Sequence, residues 1–221
     1  MSDIKKSLSR IKESIPKNVL LVAVSKTKPL PLLKEAYNAG QRHFGENKAQ
    51  EILDKAPNLS PEIKWHFIGH LQSKKVRQII QYTHLIHSVD SLKLITEIDK
   101  RAHALNKVQD ILIQVHIAKE DSKFGIPPED LPSFIENTKD NFPNTRIVGL
   151  MGMATFTDNE SIVSDEFITL KKAFEYIKTS YYAQHPSFSE ISMGMSGDYK
   201  LAIEQGSTMI RIGSSIFGIR S

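Results

Sequence analysis

The sequence predicts an α/β fold, a single (β/α)8 barrel of the TIM type with an extra helix at its N-terminus. Three observations predict it. Short apolar runs rich in β-branched residues alternate with amphipathic stretches about eight times along the chain. Strict alternation of this kind implies parallel strands joined by right-handed crossovers. No linker-like or low-complexity stretch interrupts the pattern, so residues 1–221 read as one domain. That many units in about 200 residues suit a closed barrel better than an open doubly wound sheet, the runner-up.

The elements follow in order. Met1 to Ser14 is charged and amphipathic, with Ile4, Leu8 and Ile11 at helical spacing; this is the extra helix. Val19–Ser25 is continuously apolar and reads as a strand buried on both faces. Pro29 and Pro31 punctuate, and Leu32–Asn38 reads as a helix ended near Gly40. Arg42–Phe44 is a short strand, followed by a helix from about Glu46 to Lys55. Trp65–Ile68 is the third strand, and Lys74–Gln81 a helix with Val76, Ile79 and Ile80 on one side. Leu85–Val89 reads as strand. Ser91–Leu105 reads as helix, with Ser91 as N-cap and Leu92, Ile95, Ile98 and Ala102 as its apolar stripe. Asp110–Ile117 is strand, and Pro127 and Pro128 open a helix to about Lys139. Arg146–Met151 is strand and Glu160–Thr179 a long helix. Glu190–Met193 is a short strand, Asp198–Gln205 a helix closed by Gly206, and Met209–Ile212 the last strand.

Composition excludes several chemistries. The chain has 0 cysteines, so disulfides, thiolate metal sites and cysteine catalysis are ruled out. The N-terminus lacks an apolar h-region, and no apolar run approaches the roughly 20 residues of a membrane span. The expectation is a soluble cytoplasmic protein with no membrane partner. The net charge is +4, but basic residues are spread along the chain. Dense groups such as Ser73-Lys74-Lys75-Val76-Arg77 lack interleaved aromatics, so the charge reads as a solvated surface and no nucleic-acid partner is expected. Five histidines, His43, His66, His70, His84 and His87, invite a metal reading. His66 and His70 are spaced i, i+4, but in a segment that reads as strand then loop, and no H-x-H or H-E-x-x-H signature is present. No metal is expected.

A barrel carries its active site at the C-terminal ends of its strands. The polar residues there are Lys26, then Glu46 and Asn47, His70 and Gln72, Ser88 and Asp90, Lys123, Thr155, Ser196 and the turn 213–215. Lys26 stands out. An ammonium at the end of a buried strand is costly unless paired, and desolvation frees its lone pair for attack on a carbonyl. The plain alternative is a side chain that snorkels to solvent. Ser196 with Gly197 at one helix start, and Gly213 with Ser214 at the other, occupy the places where barrels often bind phosphate; tight turns alone are the alternative. Arg211 lies two residues before the second turn, where it contacts a ring nitrogen or an anion, or makes a structural ion pair. The run Gly149-Leu150-Met151-Gly152-Met153 is no dinucleotide fingerprint and reads as a strand end where backbone approaches a ligand. The same lysine and phosphate turns would also serve a Schiff-base aldolase acting on a sugar phosphate.

Several long motifs carry a resemblance. They are Val22-Ala23-Val24-Ser25-Lys26-Thr27-Lys28-Pro29, His43-Phe44-Gly45-Glu46-Asn47 with Gln50-Glu51, and Trp65-His66-Phe67-Ile68-Gly69-His70-Leu71-Gln72 with Lys74. His87-Ser88-Val89-Asp90-Ser91, Lys123-Phe124-Gly125-Ile126, Gly149-Leu150-Met151, Ser192 to Asp198 and Gly206 to Gly218 complete the set. Over nearly its whole length the chain resembles the pyridoxal phosphate homeostasis proteins, the YggS/PROSC-type family. The resemblance implies a fold-type III barrel like that of alanine racemase, with pyridoxal 5′-phosphate (PLP) as cofactor, held as a Schiff base on Lys26. It implies that Ser196, Gly213 and Ser214 cradle the phosphate, that Arg211 lies near the pyridine nitrogen, and that Asn47 and Met153 line the ring. Ser214 stands where many relatives carry threonine; both offer the hydroxyl. The racemase's second domain, which supplies an opposing acid/base, has no counterpart in the sequence. The expected role is therefore that of a PLP carrier or regulator, not a robust catalyst, acting as a monomer with PLP-dependent apo-enzymes as candidate recipients. The alternative is a weak racemase or lyase, for which Tyr199 and His66 are poor candidate bases. Lys123 is a candidate second lysine for PLP.

Overall fold

Strands that are apolar on both faces must be covered on both, and the chain meets this by closing the sheet on itself inside a ring of helices. The structure, a computed structural model, describes residues 3–120 and 124–218. Its strands are β1 (Leu20–Val24), β2 (His43–Glu46), β3 (Lys64–Phe67), β4 (Thr83–Val89), β5 (Gln109–Gln114), β6 (Thr145–Met151), β7 (Glu190–Ser192) and β8 (Met209–Ile212). They form a closed parallel barrel in chain order, sealed where Leu20 to Ala23 pair with Met209 to Ile212. The helices are α1 (Asp3–Ser14), α2 (Leu30–Asn38), α3 (Ala49–Lys55), α4 (Ser73–Ile79), α5 (Leu92–His103), α6 (Leu131–Glu136), α7 (Glu160–Tyr181), α8 (Tyr199–Glu204) and α9 (Ser214–Phe217).

The extra helix α1 buries Ile4, Leu8 and Ile11 in one apolar cluster with Val19, Leu33, Ala36 and Phe217. It therefore lies on the outside of the barrel against α2 and α9, and does not plug the base. A second layer of contacts, Val22, Leu85, Leu112, Val148, Met151 and Met209, fills part of the barrel interior.

Several boundaries differ from the sequence reading, each for a physical reason. Helix α3 begins at Ala49, not Glu46, because Gly45 and Glu46 still pair in the sheet with His66 and Phe67. Helix α6 begins at Leu131; the prolines at 127 and 128 form a turn in which Asp130 N–H donates to the Pro127 carbonyl. Strand β5 stops at Gln114, and beyond it only Val115 bridges, to Ile126. The stripe of α5 is Leu94, Ile95, Ile98 and Ala102, and Leu92 is 48% exposed. Ser91 sits at the N-cap of α5, but its side chain makes no capping bond. Gly149 serves the sheet and not a ligand. A Cβ there would lie 1.8 Å from the Glu190 carbonyl oxygen, so glycine is what lets β6 and β7 approach.

Candidate functional site

At the C-terminal mouth a cavity of about 570 Å³ opens between β1, β2, β6, β7 and β8. Lys26, Asn47, Met153, Ser196, Arg211, Gly213 and Ser214, the seven residues singled out from the sequence, all line it. Val24, Ile68, Gly197 and Asp198 complete much of the wall.

Lys26 follows β1 and is half-buried. Both of its chain neighbours are tied down by side chains the sequence reading did not connect. Ser25 Oγ donates to Glu46 Oε1 at 2.6 Å. Thr27 N–H donates to Glu51 Oε2 at 2.6 Å. Lys55 Nζ joins the two, donating to the Ser25 carbonyl at 2.9 Å, to Glu46 Oε1 at 2.8 Å and to Glu51 Oε2 at 2.7 Å. Thr27 adopts φ 64°, a left-handed conformation that disfavours a β-branched residue. The clamp therefore holds the loop in a strained shape. Burial pushes the Glu46 carboxyl up to about 7, against the pull of Lys55 and Ser25. For Glu51 burial also pulls upward, but the bonds from Lys55 and Thr27 outweigh it and hold its pKa below the ordinary value.

Beside β1, the paired strand β8 carries Arg211 into the barrel. Its Nη1 donates to Ser192 Oγ at 2.6 Å and its Nη2 to the Gly152 carbonyl at 3.0 Å. Burial draws its pKa down to about 10, with Asp198 pulling upward, so it is a cation at neutral pH. Next to it, Gly213 N–H donates to Ser196 Oγ at 3.3 Å, joining the turns after β7 and β8 into one wall. A Cβ at Gly213 would lie 3.1 Å from the Val24 carbonyl oxygen, so glycine keeps this turn against β1. Gly213 opens the short helix α9, absent from the sequence reading, whose first N–H groups have no partner within the helix. Asn47 Oδ1 is buried with no hydrogen-bond partner.

Other candidates from the sequence lie elsewhere. His70 stacks on Phe124 with ring centroids 4.0 Å apart and stands 3.8 Å from Asp90. With Gln72 it lines an adjoining cavity of about 270 Å³. Ser88 Oγ donates to the Gly69 carbonyl, and Thr155 Oγ1 donates to Glu166 Oε1. Lys123 lies outside the described residues. Tyr199 and His66, the candidate bases, do not line the cavity.

His66 belongs instead to a polar file down the barrel. Ser192 Oγ lies 2.9 Å from His87 Nδ1, His87 Nε2 lies 2.8 Å from His66 Nδ1, and His66 Nε2 lies 2.8 Å from His43 Nδ1. Arginine can only donate. Ser192 Oγ therefore accepts from Arg211, and its own hydrogen finds its acceptor in His87 Nδ1. His87 and then His66 must carry their protons on Nε2. Burial keeps both rings' pKa well below the ordinary histidine value, so they are neutral. The file was invisible in the sequence because it depends on strand register, which sets His66 of β3 beside Leu85 of β4 and Gly45 of β2.

Comparison with known proteins places this geometry. The family model for the alanine racemase N-terminal domain matches residues 1–221. The pyridoxal phosphate homeostasis protein of Aquifex aeolicus is 40% identical over 201 residues, covering 90% of this chain and 86% of that one. Its human counterpart is 41% identical over 213 residues, covering 90% and 76%. The chain belongs to the pyridoxal phosphate homeostasis protein family. A structure of this family's PipY from Synechococcus elongatus, with PLP bound, superposes with a TM-score of 0.88 at 35% identity, covering 97% of this chain and 100% of that one. Alanine racemase of Clostridium difficile, at 13% identity and a TM-score of 0.77 over 99% of this chain and 56% of that one, shares the barrel fold. Among the described residues no helix is long and apolar enough to cross a membrane.

Proposed function

We propose that this chain binds PLP at the C-terminal mouth, covalently as a Schiff base on Lys26, and acts in PLP homeostasis as a carrier or regulator, not a robust catalyst. The observation that carries the reading is the meeting of Lys26, Arg211 and the joined Ser196 and Gly213–Ser214 turns in one cavity of about 570 Å³. That is within the usual size range of small-molecule sites. Residue chemistry fits the group. The lysine supplies an amine for an aldehyde, the turns supply hydroxyls and helix-start N–H groups for a phosphate, and the orphaned Asn47 Oδ1 marks a wall where a polar ligand atom is wanted.

When bound, PLP supplies an electrophilic aldehyde carbon and an electron-withdrawing ring. What the chain does with it follows from its own groups. The clamp on Ser25 and Thr27 fixes the backbone from which Lys26 reaches into the cavity, so the amine would meet the aldehyde from a set position on the wall. Arg211 is a buried cation that can only donate. Beside a ring nitrogen it disfavours protonation of that nitrogen and weakens electron withdrawal, which supports carrying over turnover. A monomer in the cytoplasm that passes PLP to apo-enzymes completes the reading.

The test is the visible spectrum of the purified protein with added PLP, before and after borohydride, with Lys26→Ala alongside. A band bleached by borohydride, with the adduct on the Lys26 peptide and lost in the variant, is the expected result. A colourless protein would remove PLP from the account, and sustained turnover of an amino acid by pure protein would remove the carrier role.

A further inference from the structure

The opposite, N-terminal mouth of the barrel holds a second cavity of about 560 Å³, whose wall includes His66, His84, Asp110, Arg146 and Glu190. Three imidazoles converge beside it. His43 opens β2, His66 lies within β3 and His84 within β4. One ring nitrogen from each lies within 4.8 Å of the other two. Ring centroids are 5.1 Å apart for His43 and His66, 5.9 Å for His43 and His84, and 5.5 Å for His66 and His84.

We propose that His43, His66 and His84 form a site for a borderline transition-metal dication, Zn²⁺ first, with Cu²⁺ and Ni²⁺ as competitors. Three nitrogen ligands and a fourth position open to a water-filled cavity match the usual open zinc arrangement. Small side-chain rotations bring the nitrogens from their present spacing to about 2.0–2.1 Å from a central ion. Imidazole ligates through a neutral ring nitrogen, and one such nitrogen from each ring is available at the meeting point. Charged groups near the triad include Lys12, Lys64, Lys107 and Asp110, with Arg146 and Glu190 in the cavity wall. Neutral nitrogen ligands disfavour the hard cations Mg²⁺ and Ca²⁺, which take oxygen ligands.

The outer shell is already built. Metal-ligating histidines commonly donate their second N–H to a fixed acceptor, and His66 Nδ1 rests 2.8 Å from His87 Nε2. On binding, His66 gives up its bond to His43 and carries its proton on Nδ1, donating to His87 Nε2; His87 then carries its proton on Nδ1 and donates to Ser192 Oγ, whose own hydrogen turns away from His87. No proton is released. The site lies at the far end of the barrel from Lys26, and metal binding is measured without PLP present.

The test is calorimetric titration of Zn²⁺ into untagged, chelator-treated full-length protein, with the visible bands of added Co²⁺ reporting ligand number. His43→Asn and His84→Asn remove half-buried and exposed ligands whose loss spares the core, and circular dichroism checks that each variant is folded. His103→Asn, exposed on α5, is the control. One equivalent of Zn²⁺, weakened at least tenfold in either triad variant and unchanged in the control, is the expected result. Absence of saturable binding, or equal affinity in wild type and both triad variants, would overturn the site.

Discussion

Replacing Lys55 with glutamine tests how the loop carrying Lys26 is held. The ammonium is 8% exposed and makes three bonds, to the Ser25 carbonyl, Glu46 and Glu51. Glutamine keeps a polar end but is one atom shorter and loses the charge. At about pH 6 Glu46 is largely protonated, because its folded pKa is about 7, and the loss is that of hydrogen bonds to a charged group, about 2 kcal/mol. Above pH 7 the two proteins diverge. The wild type ionises Glu46 against Lys55. In the variant the buried carboxyl has no cation, its pKa climbs further, and the folded variant retains a proton that the folded wild type has released. The deficit therefore grows by about 1.4 kcal/mol for each pH unit. Near pH 8 it reaches ~3–4 kcal/mol, as expected for a buried pair deprived of one partner. In the wild type itself, Glu46 has a raised pKa, so its contribution to stability is full at acid pH and is lost as pH rises through about 7. Urea unfolding of both proteins at the two pH values measures the difference. A deficit under about 1 kcal/mol at the higher pH, or one equal at both, would refute the clamp as drawn.

Other perturbations have equally definite outcomes. Gly149→Ala forces a Cβ to 1.8 Å from the Glu190 carbonyl oxygen and should lose more than about 3 kcal/mol in thermal or urea unfolding, whereas Gly197→Ala, with nothing within 4 Å, should stay within about 0.5 kcal/mol. Ser192→Ala removes the hydroxyl that dictates the imidazole tautomers; nitrogen-15 shifts should show Nε2–H forms for His66 and His87 in the wild type and a changed pattern in the variant. Glu166 accepts from Lys119 N–H, Thr155 N–H and Thr155 Oγ1, and Glu166→Leu should cost about 2–3 kcal/mol and loosen the loop bearing Met153, read by faster amide exchange there.

Much of this was legible in the chain. Alternation and burial on both strand faces specify a barrel, and β8 falls at Met209–Ile212 as read. Lys26 and the two serine–glycine turns were visible because a strand end or a helix start is a local feature. What the sequence concealed was non-local. Glu51 and Lys55 look like an ordinary exposed i, i+4 pair, and only the docking of α3 against β1 and β2 turns them into an anchor for Thr27 and Ser25. The histidines show no helical metal-ligand spacing, but adjacent parallel strands bring His43, His66 and His84 together across 41 positions of chain, from residue 43 to residue 84. Gly149 looked like room for a ligand because a glycine does not reveal which neighbour needs the space.

The file of Ser192, His87 and His66 has a further consequence for Arg211. Two guanidinium bonds go to a hydroxyl and a carbonyl, not to a carboxylate. Every O–H and N–H in the file points away from the guanidinium, so each dipole turns its negative end toward the cation. Aligned dipoles of this kind polarise one another in a low-dielectric interior. The centre of the barrel thus acts as a frozen solvent for one charge: it hydrates the arginine, and the one carboxylate that acts on it, Asp198, lies in the cavity wall at the mouth.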